Sequence, residues 1–68
     1  MENWTKVFSS TDLVEVKLAE DVLKQVGIES HILHKPDSML PSLGEAELFT
    51  LDEKAEEARQ VLEENNFL

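Results

Sequence analysis

The absence of cysteine constrains this chain more than any residue it contains. Its 68 residues have no disulfide and no zinc knuckle to staple them, and a chain of about 60 residues buries only ~60% of the surface its unfolded form exposes. The core is therefore thin, and domains of this size often gain stability from self-association or from binding something. Hydrophobic residues supply 41% of the chain and charged residues 31%, a balance that reads as globular rather than disordered. No repeat, low-complexity tract or linker-like stretch divides it, so residues 1–68 are expected to form one domain.

Charge narrows the partners. Six basic side chains face fifteen acidic ones, for a formal net charge of −9. That chain lacks the basic stripe that binding a phosphate backbone requires, so no nucleic acid is expected as partner. No apolar run approaches the length of a membrane span, and the first residues hold no signal-peptide core. The expectation is a cytoplasmic protein with no membrane partner.

Residues 4–9 are rich in aromatic and β-branched types and predict a first strand. Ser10, Thr11 and Asp12 follow as N-cap types, and Asp12 with Glu15 has capping-box spacing. Residues 13–26 predict a helix, with Val14, Leu18, Ala19, Val22, Leu23 and Val26 as its apolar face. Lys17 with Asp21, and Glu20 with Lys24, are spaced to pair on the wet side. Gly27 stands where a C-cap glycine belongs. Residues 28–34 predict a second strand, with Ile28, Ser30 and Ile32 on one face. Pro36, Pro41 and Gly44 punctuate a long loop, and residues 46–51 predict a short third strand. Asp52 is expected to cap a second helix with an apolar stripe of Ala55, Ala58, Val61 and Leu62. Phe67 and Leu68 trail as an apolar tail.

Strand, helix, strand, strand, helix is the order of a two-layer α+β sandwich, a ferredoxin-like unit lacking its last strand. The third strand then lies between the first and second. This leaves the first strand at an edge, where Trp4 and Phe8 become the expected interface residues.

Chemistry leaves few marks. His31 and His34 sit three apart on a strand and point to opposite faces, so no metal site is expected. There is no cysteine nucleophile, no Ser-His-Asp signature and no glycine-rich phosphate loop, so no catalytic residue and no cofactor are assigned. Glu15 falls among the apolar positions by helical phase. It reads either as a first-turn acid stabilised by the helix dipole or as a carboxylate that orders the long loop or meets a ligand. That loop mixes charge, hydroxyl and apolar groups and is long for a hairpin connection, which marks it as the binding candidate.

Several segments taken in order carry a resemblance. They are Val7-Phe8-Ser9 leading into an acid-rich helix start, Leu23-Lys24-Gln25-Val26-Gly27-Ile28-Glu29, Lys35-Pro36-Asp37-Ser38, Gly44-Glu45-Ala46-Glu47-Leu48-Phe49 and Asp52-Glu53-Lys54-Ala55-Glu56-Glu57-Ala58. The chain resembles the putative prokaryotic signal transducing protein family, small domains with a fold like that of nitrogen-regulatory PII proteins. The resemblance implies an α+β sandwich with a signalling role. It implies no ligand and no catalytic residue, and the long nucleotide-binding loop and final strand of true PII proteins have no counterpart here.

The reading is thus a non-enzymatic binding or regulatory module. Lys35, Asp37, Ser38, Gly44, Glu45 and Glu47 are its expected recognition surface. Being mostly anionic, that surface suits a basic protein segment, a cation or an amine-bearing small molecule. The rival readings are a homodimer built on the exposed edge and open sheet face, and a sensor that binds a small-molecule ligand.

Overall fold

The computed structural model describes residues 2–35 and 44–68. Trp4–Ser10 forms strand β1, Leu13–Gln25 helix α1, Ser30–Lys35 strand β2, Glu45–Leu51 strand β3, and Ala55–Glu64 helix α2. A short 3-10 turn, Asp52–Lys54, leads into α2. The expected order and sheet are both present: β3 lies between β1 and β2 and pairs antiparallel with each. The architecture is a three-stranded sheet with two helices, a ferredoxin-like α+β unit.

Helix α1 begins as its sequence dictates and ends in a way that sets its orientation. The Asp12 carboxylate accepts from the Val14 N–H at 3.0 Å. The reciprocal half of the capping box is supplied differently, because the Asp12 N–H donates to Ser10 Oγ at 3.0 Å rather than to Glu15. At the other end Gly27 takes φ +80°. Its N–H donates to the Lys24 carbonyl at 3.0 Å, and the Ile28 N–H donates to the Leu23 carbonyl at 2.9 Å. This paired pattern is a Schellman motif, which favours apolar contact between the residues it joins. Leu23 and Ile28 are both buried in the core.

That turn corrects the expected face of α1. Ile28 leads into β2, so Leu23, tied to it, must face the sheet. Helical phase then carries Val16 and Ala19 inward with it. Val14, Leu18 and Val26 remain exposed, at 64%, 55% and 53%. Glu15 is exposed as well, so it does not lie among buried positions. Of the ion pairs expected along α1, Asp21 instead accepts from Gln25 Nε2 at 3.1 Å.

Helix α2 repeats the same ending. Asn66 takes φ 65°, its N–H donates to the Glu63 carbonyl at 3.1 Å, and the Phe67 N–H donates to the Leu62 carbonyl at 2.9 Å. The turn brings the Phe67 ring back onto Phe8, edge to face with centroids 5.7 Å apart. Ala55, Ala58 and Leu62 are buried, as the stripe predicts, with Val61 partly so. Asp52 is not the cap of α2. Its carboxylate accepts from Thr5 Oγ1 and its N–H donates to the Asn3 carbonyl at 2.9 Å, tying the end of β3 to the start of β1.

Strand β1 carries a bulge between Lys6 and Phe8, where Val7 is the extra residue. Val7 and Phe8 are consequently both buried, although neighbours on a regular strand point to opposite faces. Phe8 therefore belongs to the core with Val16, Leu23, Leu48 and Leu62, and is not the exposed interface residue expected from the edge position of its strand.

Gly27→Ala is expected to lose about 1 kcal/mol through backbone strain in the left-handed region. No atom lies within 4 Å of the added Cβ, so no clash contributes. Thermal unfolding should show Tm lowered by about 4–8 °C.

Candidate functional site

Both helices cover the same side of the sheet, the side onto which Ala46, Leu48 and Thr50 of β3 point. Alternation sends Glu45, Glu47, Phe49 and Leu51 to the other side. Register then brings their cross-strand partners to that same face: Trp4, Lys6 and Ser9 from β1, and His31, Leu33 and Lys35 from β2. No described helix lies over this face.

Its two ends differ in chemistry. At one end the Trp4 and His31 rings approach to 5.8 Å between centroids, tilted by 53°. Phe49 stands opposite both Lys6 and His31, and Leu51 stands opposite Trp4. Leu33 is 41% exposed beside them. At the other end Glu47 is held between two lysines. Lys6 Nζ donates to Oε2 at 3.2 Å, and Lys35 Nζ lies 3.1 Å from Oε1. Glu47 is only 8% exposed although no helix covers it. The lysine stems on either side shield the carboxylate while their ammonium groups stay half-exposed. Lys35, then Lys6, hold the Glu47 carboxyl below its ordinary value of 4.5.

The sequence-predicted residues are divided by this geometry. Lys35 and Glu47 meet directly, and Glu45 stands opposite Lys35 in the ladder, exposed. Gly44 is buried just before β3. Asp37 and Ser38 lie outside the described residues. Trp4 is on the uncovered face, whereas Phe8 is on the covered one. His31 and His34 point to opposite faces, as strand alternation requires. Among the described residues no group of three His, Cys, Asp or Glu side chains is placed to hold a metal ion. Sequence reasoning missed Lys6, Leu33, Phe49 and Leu51. For Phe49 and Leu51 the signal was available, since the odd-numbered positions of β3 alternate with Ala46, Leu48 and Thr50; Lys6 and Leu33 reach the face only through strand register.

The family described as "putative prokaryotic signal transducing protein" matches residues 4–66, which takes in every strand and helix described above. The chain belongs to that family. No curated protein matches the chain, and neither does any solved structure. None of the described helices is long and apolar enough to cross a membrane.

The Glu47 cluster has a defined pH signature. Its folded carboxyl lies below the ordinary value, so its stabilising contribution is fully present above about pH 4.5 and is lost as pH falls through the folded value. Glu47→Gln is therefore expected to lower stability at neutral pH and to flatten the loss of stability on acidification. Denaturant melts across the acid range, run in parallel on both proteins, will show whether the two curves converge.

Proposed function

We propose that this protein is a cytoplasmic, non-enzymatic signalling module that works as a homodimer, its two copies meeting through their uncovered sheet faces. The observation that carries this reading is the segregation of charge. On the uncovered face Lys6 and Lys35 offset Glu45 and Glu47, while the chain as a whole carries −9. Two copies approaching face to face avoid the like-charge repulsion that an approach through the acidic helices would bring. The apolar end, with Trp4, Leu33, Phe49 and Leu51, supplies the surface to be buried. Sheets packed in this way lie about 10 Å apart with their side chains interdigitated.

Pairing along the free edge of β1 is the weaker route to a dimer. The Val7 bulge interrupts that edge, and a bulge is one of the usual protections against strand addition. Recognition of a basic partner by the 35–47 segment also loses ground, since two lysines neutralise Glu47. The same pairing favours binding over catalysis. A carboxylate held ionised by two ammonium groups is poorly suited to passing a proton near neutral pH.

Sedimentation equilibrium tests the dimer. The wild-type chain is expected to associate reversibly, and its sole tryptophan should shift to the blue as Trp4 leaves water. Leu33→Asp, at an exposed position, should leave the monomer folded and abolish both effects. A wild-type chain that stays monomeric at high concentration would sink the proposal.

A further inference from the structure

His31 stands inside the apolar end of the uncovered face. It lies opposite Phe49, shares its side of β2 with Leu33, and meets the Trp4 ring at 5.8 Å between centroids. Trp4 and His31 come from the two outer strands, so their contact spans the central one. A cover that takes Trp4, Leu33 and Phe49 out of water takes this imidazole with them. Imidazole changes charge between about pH 5 and pH 8, and burial penalises its charged form.

The charged groups around His31 do not offset that penalty. On β3, Glu47 lies two residues from Phe49, with one oxygen on Lys6 and the other on Lys35. Glu45 is further along, opposite Lys35. On β1, Lys6 stands opposite the same Phe49 and adds a like charge. On β2, Lys35 is another cation at the far end of the strand, and Glu29 precedes the strand at an exposed position outside the apolar patch. Asp52, past Leu51, accepts from Thr5. Both helices lie on the opposite side of the sheet.

Symmetry adds a further cation. Two faces that overlap fully, apolar end on apolar end, are related by a two-fold axis running along β3. That axis lays β1 of each copy over β2 of the other. Lys6 and His31 share one level, since both stand opposite Phe49. Each imidazole therefore comes to face Lys6 of the second copy.

We infer that His31 is a pH switch on the face-to-face dimer, an inference that rests on the reading proposed above: the neutral imidazole is buried at the interface, and its protonation separates the two copies. The separated chains bind the additional protons, so acid favours them. Two imidazoles barred from charging raise the dissociation constant about 100-fold between about pH 8 and about pH 5.5. Glu47, whose carboxyl is held below 4.5, stays ionised through that window.

Sedimentation equilibrium of the full chain at those two pH values tests the switch. Wild type is expected to dimerise at the higher pH and to lose about 100-fold in affinity at the lower. His31→Gln places a neutral side chain at the interface at both values, so its dimer should persist unchanged. His34→Gln, on the helix-covered side of β2, should respond to acid as wild type does. A measurement without substitutions follows the imidazole Cε1–H resonances through pH at low and high chain concentration. The His31 midpoint should move to lower pH as the dimer populates, while the His34 midpoint stays. A wild-type dimer as tight or tighter in acid, an acid response that survives in His31→Gln, or a His31 midpoint indifferent to concentration would overturn the switch and leave the dimer standing. Wild type monomeric at both pH values would remove the dimer and the switch together.

Discussion

One hydrogen bond, from the Ile28 N–H to the Leu23 carbonyl at 2.9 Å, fixes how α1 rotates against the sheet. The chain leaves the helix through Gly27, whose positive φ admits the sharp turn, and enters β2 directly afterwards. Leu23 must then point inward, and Val16 and Ala19 follow from the helix period. Ala19 is fully buried in that core. The remaining apolar row of α1 is left in water by the same rotation. Core and exposed row are two consequences of one turn.

The element order was legible from residue types alone. Gly27 marked the end of α1, Asp12 marked its start, and β-branched and aromatic residues marked the strands. The rotation of α1 was not legible. Its sequence offers two apolar rows, and the longer, Val14 to Val26, is the one the sheet does not take. Only a contact between elements, Leu23 with Ile28, decides between them. Asp52 misled for a related reason, because an acid ahead of a helix reads as a cap until Thr5 and Asn3 are brought beside it by the β1–β3 pairing. The candidate site was half legible. Lys35, Glu45 and Glu47 are close in sequence, but Lys6 joins them only through the register of a strand far away along the chain.

Charge is distributed by layer. The central strand supplies both environments, with Ala46, Leu48 and Thr50 toward the helices and Glu47, Phe49 and Leu51 toward the uncovered side. Lysines on the two outer strands answer Glu47, and most of the acidic excess is left to the helices and turns. A molecule built this way has two unlike sides. One is nearly neutral and rich in rings, and the other is acidic and crossed by an apolar row.

The extra residue in β1 has a consequence for growth. Lys6 pairs with Phe49 and Phe8 with Leu48, so a chain lacking Val7 would keep its flanking residues on their present faces. It would also possess an uninterrupted strand edge. Edges propagate, because each copy added to a sheet exposes another edge, whereas two sheet faces that cover one another close the assembly at a pair. The one residue that kinks this edge also fills the core.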